Sequence, residues 1–188
     1  MNESSAPNAD SRRRQTAIHE AGHAVAFYRL FENFRMSWYV TIVPDPDDDT
    51  LGHHAFEGDF SNPDRDSDHE TCSCAGYGAV RASGQEESEA TWGCGFDFEN
   101  VRSDLEAAKA RALDLMTRPE NVRAVQRLAD ELLSRETIPG DEIEVLIDVA
   151  DGELSEEDFQ RFLLLKGSIT ADEYEQRILS MRTIVPPA

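Results

Sequence analysis

Apolar residues recur at spacings of three and four near the start of the chain. Ile18, Ala21, Val25 and Tyr28 form one stripe, which predicts a helix from Ser11 to about Asn33. Gly22 lies inside that helix and costs about 1 kcal/mol there, so it marks a place where a metal or a neighbouring helix comes close to the backbone. The pattern then changes: Ser37-Trp38-Tyr39-Val40-Thr41-Ile42-Val43 is rich in β-branched and aromatic residues and ends at Pro44, which predicts a strand. A turn over 44–50 leads to a second, short strand at Leu51-Gly52-His53-His54-Ala55-Phe56.

Ten acidic residues and one basic residue lie between Asp45 and Glu70, with Pro63 and two glycines, a composition expected of an exposed loop. Residues 71–84 are small and nearly uncharged, as in a tightly packed buried helix, and 84–98 reads as a linker with a turn at Gly93-Cys94-Gly95. The second half is helical. Val101, Leu105, Ala108, Ala112 and Leu115 share one face of a helix reaching about Thr117, and Pro119 breaks it. Val122, Val125, Ala129 and Leu132 define the next, which ends before Ile138-Pro139-Gly140, and Ile143 to Val149 begins another. Ser155 and Thr170 each precede an acid three residues on, Asp158 and Glu173, so each opens a short helix with a capping box. Neither segment fits a calcium-binding EF-hand loop. The expected fold is mainly α-helical (α+β), with a small sheet or hairpin. A flexible tail (1–10) precedes one domain (11–150), and a short helical extension (151–188) follows.

Composition narrows the function. The chain has 188 residues, 39% hydrophobic and 30% charged, enough for a core without disulfides. Its 38 acidic against 18 basic residues give a net charge of −20, which repels nucleic acid and anionic membranes. The one basic cluster, Arg12-Arg13-Arg14, reads as a solvated helix face. No apolar run approaches the roughly 20 residues of a membrane span, and Met1 to Asp10 lacks a signal peptide's hydrophobic segment, so a cytoplasmic protein is expected. Cys72, Cys74 and Cys94 are then expected as free thiols.

The chemistry concentrates at His19-Glu20-Ala21-Gly22-His23, an H-E-x-x-H sequence within the predicted helix. One turn separates the two histidines, so both imidazoles face the same way and can share a zinc ion. Glu20 stands beside the first ligand, where a carboxylate can take a proton from water. A catalytic zinc needs a third protein ligand, for which the residues offer many carboxylates as well as His53, His54 and His69. Separately, His69, Cys72, Cys74 and Cys94 are soft donors that could form a second, structural zinc site, although their spacing matches no common pattern; the bland alternative is buried small thiols.

Ala17-Ile18-His19-Glu20-Ala21-Gly22-His23-Ala24-Val25 resembles the H-E-A-G-H-A segment of the FtsH-type (M41) zinc metallopeptidases. Four further segments follow in the family's order. Val40 to Pro44 with Leu51-Gly52 is similar to its strand, turn and L-G segment, and Ala75 to Val80 to its small-residue helix. Ser103 to Ala108 is similar to its N-D-L-x-x-A-T helix start, and Leu128 to Ile143 to its closing helical pair. The resemblance covers about residues 12–147. It implies Asp104 as the third zinc ligand, since the aspartate of the N-D-L segment serves there. Ser103 and Glu106 as a capping pair, with Asp104 merely favouring the helix start, is the alternative.

The resemblance also implies a small sheet bordering the cleft, whose edge near Leu51-Gly52-His53-His54 pairs with an extended polypeptide substrate. The family's ATP-driven unfolding domain and membrane anchors have no counterpart in these residues, and there is no Gly-rich phosphate loop. Val80 replaces a frequent Glu, and Tyr77 a frequent Arg. The expected function is zinc-dependent, ATP-independent hydrolysis of peptide bonds in unfolded or loosely structured polypeptides, with Glu20 as general base. A homo-oligomer or a separate partner protein is compatible. The alternative is a degenerate, zinc-binding peptidase-like module that regulates or binds other proteins.

Overall fold

In a computed structural model the described residues are 9–31, 39–44, 52–55 and 66–184. The fold is mainly helical with a small antiparallel sheet, as the residue patterns predict. Its central element is α1 (Ala9–Leu30). A single amphipathic stripe understates this helix: from Ala17 to Phe27 every residue except His19 is buried. The reason is size, since Ala17, Ala21, Gly22, Ala24 and Ala26 let other elements close on it from several sides.

One of those elements is α3 (Ala75–Ala82), which follows α2 (Asp66–Ser73) almost without a break. Thus part of the acidic stretch expected as loop, residues 66–70, is helical. A Cβ placed on Gly22 would lie 2.6 Å from Ala79 Cβ and 2.7 Å from the Ala75 carbonyl oxygen, so the close approach that Gly22 signals is to this helix. On an adjoining face of α3, a Cβ on Gly78 would meet the Ala112 carbonyl at 2.8 Å, in α6 (Leu105–Met116). Between α3 and α6 the expected linker contains two short helices, α4 (Glu87–Ala90) and α5 (Gly95–Glu99).

After α6, Pro119 opens α7 (Pro119–Arg135), which also packs against α1. The three-stranded sheet has the order β2-β1-β3, formed by β1 (Tyr39–Thr41), β2 (His53–Ala55) and β3 (Thr137–Pro139). Val40 pairs with His54 on one side and Ile138 on the other, which leaves β2 at an edge. Glu136, at φ 65°, turns the chain out of α7, and its carbonyl accepts from Ile42 N (2.9 Å) and Thr41 Oγ1 (3.1 Å).

The chain then enters α8 (Gly140–Asp151), α9 (Glu156–Lys166) and α10 (Ala171–Ile184). Both expected capping boxes form, Ser155 with Asp158 and Thr170 with Glu173. Phe159, Leu163 and Ile169 join the same core cluster as Val25, Leu128 and Ile147, so the segment after 150 completes the core and is not merely appended. Glu142 ties these parts together. Its side chain is fully buried and pairs with Arg135 (2.6 Å), Lys166 (3.1 Å) and Ser168 Oγ (2.8 Å). Burial alone would raise its pKa, but Arg135, Ser168 and Lys166 outweigh that and hold it below the ordinary 4.5.

Two outcomes follow for stability. Gly22→Ala gains about 1 kcal/mol of helix propensity but forces an overpacked contact, partly with backbone, that costs about 1–3 kcal/mol. The variant should have a lower urea midpoint than wild type. For Glu142, a depressed folded pKa gives stability present above the unfolded value and lost as pH falls through the folded one. Glu142→Gln should therefore be less stable at pH 7, with the gap in thermal midpoint closing as the pH drops below about 4.5.

Candidate metal centre

The H-E-x-x-H turn lies where α1 is crossed by α3. Gly76 makes room for the first histidine: a Cβ there would come within 2.5–2.6 Å of three atoms of the His19 ring. The two rings stand edge to face with centroids 4.7 Å apart, and their Nε2 atoms are separated by 3.1 Å. Asp97, from α5, brings Oδ2 to 3.1 Å from His19 Nε2 and 3.4 Å from His23 Nε2. Four-coordinate zinc bonds N and O donors at about 2.0–2.2 Å, which spaces tetrahedral donors about 3.3 Å apart. The observed triangle has those dimensions, so the donor set fits a zinc-sized ion. Among the described residues it is the one group of three or more such donors.

Each imidazole is oriented from behind. His23 Nδ1 lies 2.8 Å from the Cys72 carbonyl, an acceptor only, so Nδ1 carries a proton and Nε2 faces the cluster. Cys94 Sγ donates to the Ala90 carbonyl (3.1 Å) and offers its sulfur to His19 Nδ1 at 3.9 Å. The side chain of His23 is 1% exposed, whereas His19 and Asp97 are 12% and 15% exposed, so the cluster opens to solvent on their side.

The electrostatics agree with a site made for positive charge. Burial disfavours a protonated His23, but Asp97, then Glu20 and the Cys72 carbonyl, raise its pKa to about 9 in the metal-free protein. Burial likewise opposes an ionised Asp97, yet His23 and His19 hold its carboxyl far below the ordinary range. A proton thus stands in for the cation. Glu20, 5% exposed, lies beneath the sheet edge, since a Cβ on Gly52 would be 3.0 Å from both its Cγ and its Oε1.

The carboxylate beside the imidazoles is therefore Asp97, and Asp104 is not in the cluster. Asp104 is exposed and serves as N-cap of α6, where Oδ1 accepts from Glu106 N (3.0 Å) and Ala107 N (3.2 Å). Nor does Ser103 pair with Glu106; it bonds to Glu70. Asp97 was hidden because α5 has too few residues to show a period. Its neighbour Phe98, which packs at 6.1 Å between ring centroids on Tyr77, is the one local sign of a docked segment.

The cysteine site does not assemble among the described residues. Cys72 and Cys94 back the histidines instead, and His69 packs on Phe31 with ring centroids 4.8 Å apart. Burial pushes all three thiols up, with Asp97 adding to the effect at Cys74 (to about 11) and Cys94 (to about 12), so they are protonated near neutrality. The backbones of His53 and His54 form β2, and their side chains lie outside the description. Among the described residues no helix is long and apolar enough to cross a membrane.

Asp97→Asn should weaken zinc binding by at least about 10–100-fold in a chelator-competition titration, the range typical of disturbing a metal's surroundings. Asp104→Ala should bind zinc as wild type does while losing about 1 kcal/mol of stability through its cap. The reverse pattern would return the ligand role to Asp104. No family model matches the chain, and no curated protein matches its sequence.

Proposed function

We propose that this chain is a zinc-dependent peptidase of the kind its motifs resemble, FtsH-type, acting on unfolded or loosely structured polypeptides. The observation that carries the reading is the convergence of His19 Nε2, His23 Nε2 and Asp97 Oδ2, with buried Glu20 one residue from the first of them. His19, His23 and Asp97 would hold a zinc ion, which would supply Lewis acidity toward water and a carbonyl.

The chain's own residues do the rest. A Glu20 carboxylate oxygen accepts the proton of the attacking water as its oxygen bonds to the scissile carbon, then returns that proton to the amine as the C–N bond breaks. The short edge strand β2, beside Gly52 and therefore beside Glu20, offers main-chain groups to an extended substrate. Such pairing is tolerant of sequence, which suits a substrate defined by being unfolded. Three free, buried cysteines accord with a reducing compartment such as the cytoplasm.

Glu20→Gln keeps the shape of the side chain and removes the base. Cleavage of a fluorogenic unfolded polypeptide by the zinc-loaded variant should fall about 10²–10⁴-fold, with zinc content unchanged. Full turnover would refute the role of Glu20. Zinc uptake by wild type with no cleavage of any unfolded or short peptide would favour the regulatory binding module instead.

A further inference from the structure

Asp97 approaches the two imidazoles from α5, a helix of five residues, far too short to hold its own position. What places its carboxylate must lie at its ends. On the N-terminal side Cys94 sits between the Ala90 carbonyl and the His19 ring. On the C-terminal side residues 100–104 run to α6, and there one buried carboxylate gathers four donors. Glu70 Oε1 accepts from Arg102 N (3.1 Å) and Ser103 N (2.8 Å), and Oε2 from Ser103 Oγ (2.5 Å) and Arg111 Nη2 (3.2 Å).

A carboxylate as buried as Glu70, 6% exposed, is costly unless every lone pair is met. Here two of the four donors are backbone N–H groups of the segment leaving α5, so the bonds form only when that segment stands in one place. Glu70 belongs to α2, and so does Cys72, whose carbonyl orients His23. A single helix thus grips one histidine directly and the carboxylate arm through its trailing loop.

We propose that Glu70 is a positioning residue for the metal centre: it latches residues 102–103 to α2 and thereby sets where Asp97 stands relative to His23. The proposal rests on the reading that His19, His23 and Asp97 hold a metal, and the test separates the two. Cobalt(II) is the probe, because its visible absorption reports the ligand set. Glu70→Ala should bind cobalt about 10–100-fold more weakly, with an absorption spectrum displaced toward that of Asp97→Asn. Glu70→Gln, which keeps an acceptor for the backbone N–H groups, should recover part of both. In metal-free protein, amide hydrogen exchange across 95–104 should quicken in Glu70→Ala while α7 and α8 stay protected.

A folded Glu70→Ala with wild-type cobalt affinity and spectrum overturns the proposal, whatever its melting temperature. If Glu70→Ala does not fold, Ser103→Ala, which removes one of the four bonds, takes its place. A several-fold loss of affinity with a partial spectral shift then supports the latch, and no change in either overturns it. If wild type takes up no cobalt, the metal reading fails by itself. The exchange comparison still decides the latch, and unchanged protection at 95–104 ends it.

Discussion

Two imidazole nitrogens and a carboxylate oxygen held 3.1–3.4 Å apart, mostly away from water, favour positive charge among them. His23 must give its Nδ1 proton to the Cys72 carbonyl, so its other nitrogen has no proton for the cluster unless the ring becomes cationic. The metal-free protein meets this demand with a proton on His23, and a divalent ion at the proposed centre would meet all three donors at once. On the proposed function, uptake of the ion and release of that proton would be one equilibrium, with acid competing against metal.

Helix packing at unusually short range makes the arrangement possible. Glycine at 22 lets α3 lie on α1, and glycine at 76 gives back the volume that the His19 ring needs within the same contact. Larger residues at either place would widen the crossing, and the donors would separate. The burial that raises the electrostatic stakes of the cluster and the closeness that sets its dimensions thus share a cause. Small side chains on α1 also let α7 and the sheet close in from other sides, which is why the motif's interior residues are almost wholly hidden.

This division explains what could be seen in the residues alone. Helix α1, strand β1, the helices after residue 101 and the capping boxes at Ser155 and Thr170 follow from period, propensity and local hydrogen bonding, all of which are short-range. His19, Glu20 and His23 were legible for the same reason, being one turn of one helix. Asp97 was not, since its role depends on where a five-residue helix is carried by contacts with Tyr77, His19 and Glu70, none of them near in sequence to all the others. β3 is not legible in the sequence either, because three residues show no alternation and the strand exists only through its pairing with β1. The cysteines looked like ligands by type; their burial makes them supports.

Asp97 and Asp104 are seven residues apart, and the resemblance to FtsH-type peptidases points to the second, whereas the first is the carboxylate that stands beside the imidazoles. Asp104 turns Oδ1 toward Glu106 N and Ala107 N of its own helix, and it stands outside the group formed by His19, His23 and Asp97. Moving Asp104 into the cluster would leave the first turn of α6 uncapped, pull Ser103 from Glu70 and strand a buried carboxylate. Those costs accumulate on one side of the exchange. With Asp97 as the third donor, every one of these groups keeps its partner, and the arm between α4 and α6 becomes a part of the site.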